Sequence, residues 1–189
     1  MLFVGQGRYR VRQSVYALSF LVTLDSGLVL GGAVGPNMGG QIEALDGDRV
    51  TERWEIRPGV VWSFNVARRF FGDEPKRPFL LVVGTLSGSS ASTRRESDGD
   101  HRGLHGLDFK VDLSAGWTLG GAWSPYLAVR AFGGPAFWHP GDEAAIGTDL
   151  YHVSLALGYS LTLGRRVSAH FDAAVLGMRG LSGGLALHF

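Results

Sequence analysis

Residues 151 to 175, YHVSLALGYSLTLGRRVSAHFDAAV, divide into two interleaved sets. One holds Tyr151, Val153, Leu155, Leu157, Tyr159, Leu161 and Leu163, then Val167, Ala169, Phe171, Ala173 and Val175. The other holds His152, Ser154, Ala156, Gly158, Ser160 and Thr162, then Ser168, His170, Asp172 and Ala174. A period of two is that of a strand, whose side chains alternate between faces, and the Gly164-Arg165-Arg166 break between two such runs is that of an antiparallel hairpin. A chain built from this pattern is all-β, and its nature turns on which set meets water.

The pattern recurs along the chain. Leu181 to Phe189, Val167 to Leu176, Tyr151 to Leu163, Tyr126 to Phe137 and Leu107 to Leu119 read as strands, as do Phe79 to Leu86, Trp54 to Ala67 and Leu28 to Ala44. That makes eight, and Tyr9 to Leu24 reads as a ninth. In Leu107 to Leu119 the apolar set Phe109, Val111, Leu113, Ala115, Trp117 opposes Asp108, Lys110, Asp112, Ser114, Gly116 without a break. Short links such as Gly164 to Arg166 and Gly120 to Ser124 fall at one end of the strands. The longer links 40–53, 87–106 and 138–150 fall at the other. Gly-rich GGAVGPNMGG, residues 31 to 40, reads as a kink or close packing within a strand rather than a phosphate cradle, for which the strand-to-helix context is missing.

If the Leu/Val/Phe set were a soluble core, the exterior would be Ser, Gly, Ala, Thr and His, with almost none of the Lys and Glu that keep sheets soluble. Charged residues are 19% of the chain and glycines number 29, too little charge to cover a small domain in water. A transmembrane barrel explains both: apolar side chains face lipid, small polar ones fill a narrow interior, and a closed wall pairs every backbone group. No uncharged apolar run is long enough for a spanning helix. Arg8, Arg10 and Arg12 before Ser14 to Leu24 look like a signal peptide, but Asp25 interrupts the run and strand-like alternation continues, so the chain reads as a mature form with its export signal removed. The absence of cysteine excludes disulfides and thiol chemistry, and a net charge of +1 gives no nucleic-acid signature. Two aromatic girdles are expected at the lipid interfaces, Trp54, Trp138, Tyr151 and Phe137 at the long-loop end and Trp117, Trp123, Phe70, Phe71 and Phe189 at the short-turn end.

The terminal GGLALHF, apolar at alternate positions up to Phe189, resembles the C-terminal signature of bacterial outer-membrane barrels that their assembly machinery reads. The strand spacing from Leu28 to Phe189 resembles the small barrels of the OmpA transmembrane domain, OmpX and OmpW. AFGGPAFW (131 to 138) and SLTLGRR (160 to 166) are similar to uncharacterised barrel proteins of myxobacteria. The resemblance implies a Gram-negative cell envelope, with outer-membrane lipid, lipopolysaccharide and, through Phe189, the assembly machinery as partners. It implies no activity. If Tyr9 to Leu24 is a ninth strand, either a short extra strand precedes it, giving ten, or residues 1–24 lie outside the 28–189 barrel.

Pairing across Gly164 to Arg166 places Ser160 opposite His170 with Asp172 two residues along, a set that suggests a hydrolase. Same-face neighbours on a strand are about 6.7 Å apart at Cα, too loose for a directed His–Asp contact, and a narrow lumen admits no lipid or peptide. An interior hydrogen-bonded network is the expected role. Asp108, Lys110, Asp112 and Arg130 are expected to join it, with Arg130 near Ser114 and Asp112 across the 120–124 turn. Charges in a tight lumen need partners, so Asp108, Lys110, Asp112, Arg130, His170 and Asp172 form the expected lumen polar network. His101 and His105 sit in a link without helical pattern and read as surface residues.

The expected protein is therefore a single-domain, all-β, transmembrane antiparallel up-and-down β-barrel of 8 to 10 strands in the bacterial outer membrane, porin-like in architecture, with no enzymatic activity, cofactor or metal. Its expected role is structural or surface-interaction through the longer loops. A narrow channel for small solutes or ions is the first alternative and a lipid-modifying enzyme the second.

Overall fold

A computed structural model of the chain describes residues 2–4, 7–47, 49–71, 78–138, 145–164, 166–177 and 179–187. Among them are fourteen strands and no helix: β1 (Leu2–Val4), β2 (Gly7–Val15), β3 (Leu18–Thr23), β4 (Leu28–Asp46), β5 (Arg49–Ile56), β6 (Gly59–Phe70), β7 (Phe79–Arg95), β8 (His101–Gly116), β9 (Trp123–Gly133), β10 (Ala136–Trp138), β11 (Ala145–Asp149), β12 (Val153–Leu163), β13 (Val167–Leu176) and β14 (Gly180–Leu187). All belong to one antiparallel sheet.

Several of these strands are halves of longer ones. β2 and β3 pair with successive parts of β4, β5 and β6 with successive parts of β4 and β7, and β9 and β10 with successive parts of β8. The breaks fall at Tyr16-Ala17, Arg57-Pro58 and Gly134-Pro135; at the last two a proline, lacking an N–H, interrupts the ladder. β4 continues through its own kink because Gly39 adopts φ 91°, and a side chain there would strike the Ile56 carbonyl. The glycine-rich stretch thus marks a kink in a continuous strand, as its composition suggests.

The breaks divide the sheet into two levels. At the long-loop end the pairings run in a circuit, β7–β8–β10–β11–β1–β2–β4–β5 and back to β7. At the short-turn end they run in an open series of nine, β3–β4–β6–β7–β8–β9–β12–β13–β14, whose end strands have no partner on their outer edges among the described residues. Residues 7–23 lie in the sheet against β4.

The alternation is inverted relative to a water-soluble sheet over the middle of the strands. On β8, Leu107, Phe109, Val111 and Leu113, and Trp117 just past its end, are 37–58% exposed, whereas Asp112 and Ser114 are 8% and 7% exposed. Leu127, Val129, Leu157, Phe171 and Val175 on the neighbouring strands are exposed in the same way. On the outer face Trp62 lies over Gly88, which it pairs with and covers; any side chain at 88 would collide with the ring.

The expected link 87–106 is mostly strand. β7 runs on to Arg95 and β8 begins at His101, in register from Ala91↔Leu104 to Arg94↔His101. This stretch has no apolar alternation because its outer face carries Ser90, Ser92, Arg94, His101 and His105 while its inner face packs on a core. A strand with one wetted polar face and one packed face reads as a polar loop when the packed residues are Ala and Thr.

Candidate functional site

Arg130 on β9 is the centre of the interior cluster. Asp112 is its direct cross-strand partner on β8, as expected, with Nε 2.8 Å from Asp112 Oδ1. That contact is an ion pair off the line of the N–H rather than an aligned hydrogen bond. The other side of the guanidinium donates twice to Asp172, Nη1 to Oδ1 at 2.8 Å and Nη2 to Oδ2 at 2.6 Å, a bidentate fork. Tyr126 Oη donates to Asp172 Oδ2 at 3.2 Å, and Lys110 Nζ stands 3.1 Å from Asp112 Oδ2. Two cations face two carboxylates, so the cluster is electrically balanced.

Asp172 is on β13, two strands from Arg130, with β12 between them. The side chains meet because the intervening ones are small. Ala128, Ala156 and Ala174 stand in one row across β9, β12 and β13 and are buried, and Gly158 lies under the Tyr126 ring between Tyr126 and Asp172. A larger residue at 156 or 158 would stand where Arg130 and Tyr126 cross. Tyr126 and this alanine row were not anticipated; their signal in the sequence is a set of small residues at facing positions.

Above the cluster is a cavity of about 770 Å³, lined among others by Gln13, Ser87, Ser89, Asp108, Phe132 and Asp149. Beyond it, inside the strand circuit, Ile42, Trp54, Ile56 and Trp138 form a buried core with Tyr9, Val11, Ala91 and Leu104 against it. Tyr9, Trp54 and Trp138 meet edge to face, with centroids 4.9 to 6.0 Å apart. Trp138 Nε1 donates to Thr93 Oγ1 at 3.0 Å. Burial and the nearby Glu52 push the Tyr9 phenol above its ordinary pKa.

These positions correct several expectations. Trp54 and Trp138, expected in a girdle at the lipid interface, are 1% and 0% exposed and face inward, because at this level the outer face is charged and the inner face apolar. Arg10 and Arg53 cover Glu43 on that outer face. Trp117, Trp123 and Tyr151 are exposed, Tyr151 at the rim of the cavity; Phe189 lies outside the described residues. Of the expected lumen network, Lys110, Asp112, Arg130 and Asp172 come together. Asp108 does not: it lines the cavity. His170 pairs with Ser160 in register but is exposed, its ring against Gly184. Asp172 is engaged by Arg130 and Tyr126 rather than aligned on His170, so the Ser160–His170–Asp172 set is not assembled as a triad. His101 and His105, four residues apart on one strand face, are separated by about 13 Å of backbone and do not chelate together.

Comparison with protein families, with curated proteins and with solved structures finds no match for the chain.

Proposed function

We propose that the chain is an integral β-barrel protein of the bacterial outer membrane, without catalytic activity, whose long-loop end stands clear of the bilayer as a rigid surface for interactions. The observation that carries this is the inverted burial along β8 and just past its end: an outer row of Leu107, Phe109, Val111, Leu113 and Trp117 over an inner row holding Asp112 and Ser114. Ten residue steps from Leu107 to Trp117 span about 34 Å along a strand. At the usual tilt of membrane barrels that is about 26 Å of height, the thickness of an outer-membrane apolar band. Above it the outer face changes to His101, His105, Arg94 and Arg53, as a surface leaving lipid for water does. The paired cluster of Arg130, Asp112, Asp172 and Lys110 fills the interior at belt level, which favours a plugged barrel over a conducting one. Resemblance of the C-terminal GGLALHF to the assembly signature supports the same placement.

Two measurements test the membrane assignment. Detergent-folded protein is expected to migrate differently on a gel with and without boiling and to lose solubility once detergent is withdrawn; a monomer stable in plain buffer overturns it. Leu113→Arg, at the middle of the belt, is expected to destabilise the protein in bilayers by roughly 2–4 kcal/mol, the cost of arginine at the midplane. On a water-facing strand the same change stays within about 0.5 kcal/mol, so denaturant titration in lipid vesicles separates the two environments.

A further inference from the structure

From the outer edges of β3 and β14, which have no partner among the described residues, we infer a seat for one additional strand, an extended segment of a partner polypeptide that enters antiparallel to both edges. β3 and β14 terminate an antiparallel series of nine strands. With an odd count the two ends point the same way. Direct closure of β3 onto β14 would therefore make a parallel pair, whereas one inserted strand gives ten and leaves every neighbour antiparallel. Membrane barrels of bacteria have even strand numbers for this reason.

The seat already has its first rung. β1 lies between β2 and β11, antiparallel to each, and β2 leads into β3 along β4. β1 therefore runs in the direction the missing strand requires and stands at the level above the opening. The β13–β14 hairpin stops short at Leu176 and Gly180, while β12 continues up beside it and β11 beyond. Here the circuit needs only β1, whereas the nine-strand level below has an opening.

Both edges are built to be covered. Leu18, Phe20 and Val22 on β3 and Leu181, Leu185 and Leu187 on β14 are 56–80% exposed, and all six residues of β3, inward and outward alike, are exposed. Unpaired backbone groups beside such side chains are not tolerated in hydrocarbon, and an exposed sheet edge recruits an extended peptide through main-chain hydrogen bonds. A second copy in the same membrane orientation does not fit, because its own free edges run parallel to these. The chemistry required of the occupant is that of its neighbours: about six to eight residues, apolar on the outward side and small or polar on the inward side. The inference rests on the membrane assignment for the cost of leaving the edges bare.

The chain contains no cysteine, so cross-linking reports on the seat cleanly. Ser19→Cys on β3 and Ser182→Cys on β14 are made in separate proteins and folded in detergent. Each is incubated under oxidised glutathione with a peptide copying β13, the existing antiparallel neighbour of β14, carrying cysteine in place of its Asp172 equivalent, the inward-facing residue that pairs with Ser182 in the folded chain. Adjacent strands bring Cα atoms within disulfide range. The expected result is a peptide adduct by mass spectrometry at both sites, at least five-fold above a scrambled peptide of equal composition. Absence of that excess on protein that still shows the heat-dependent mobility shift overturns the seat. So does high-yield cross-linking of Ser19→Cys to Ser182→Cys in the doubly substituted protein, which would mean the edges meet each other, or a preferred protein dimer, which would mean a second copy. Loss of the mobility shift overturns the membrane assignment, and the seat with it.

Discussion

Arg130→Ala is expected to lower the stability of the folded protein by about 3–5 kcal/mol, the cost of breaking a buried ion pair by removing one partner. Its guanidinium is the shared partner of Asp112 and Asp172, which are 12% and 5% exposed as side chains, so deletion leaves Asp172 with only the Tyr126 hydroxyl and Asp112 with only Lys110. For a chain of this length the loss corresponds to a fall of roughly 6–20 °C in the heat-modifiable transition, read by gel mobility against temperature. Arg130→Met combined with Asp172→Leu removes cation and anion together and is expected to recover most of it, since Asp112 keeps Lys110 and no carboxylate is stranded. Equal losses in the single and double variants would mean that volume, not charge balance, is what the cluster supplies. In planar bilayers the parent protein is expected to show no discrete conductance, and Arg130→Ala is expected to introduce it if the cluster is the plug.

Trp138→Ala is expected to cost about 3–5 kcal/mol as well, but locally. Trp138 is fully buried, touches Tyr9 and Trp54 and belongs to β10, a link in the strand circuit of the long-loop end. Emptying that core should loosen β10, β11, β1 and β2 while the exposed apolar belt of β8 and β9 stays folded. The measurement is limited trypsin digestion of the detergent-folded protein. Cleavage at Arg8, Arg10 and Arg12 on β2 is expected to accelerate at least ten-fold, with the belt strands still protected. Trp138→Phe keeps the ring contacts and loses the Nε1–Thr93 bond, about 1 kcal/mol, so it should resist digestion nearly as the parent does. Uniform protection in both variants would show that the long-loop end does not depend on this core.

Strand positions were legible because they rest on local alternation. The hairpins across Gly164 to Arg166 and Gly120 to Ser124 put Ser160 opposite His170 and Asp112 opposite Arg130, and hairpin register follows from turn position alone. The inversion of burial along β8 was likewise readable, since its two faces differ so sharply in composition.

Other features depended on what lies between or beyond neighbouring strands. A period of two says that two faces differ; it does not say which one curvature will enclose. Trp54 and Trp138 read as interfacial because aromatics near strand ends are usually so, yet at their level the ring closes around them and Arg10, Arg53 and Glu43 take the outside. The Arg130–Asp172 fork spans a strand that sequence pairing treats as a barrier, and it exists because Ala156 and Gly158 leave room for it. The open edges of β3 and β14 arise from counting around the whole sheet. The sequence by itself determined the strands, their alternation and the excess of apolar surface, because those are properties of neighbours in the chain. Only the tertiary structure decided which aromatics are enclosed, which charges meet and where the wall stays open, because those depend on closure, a property of the sheet as a whole.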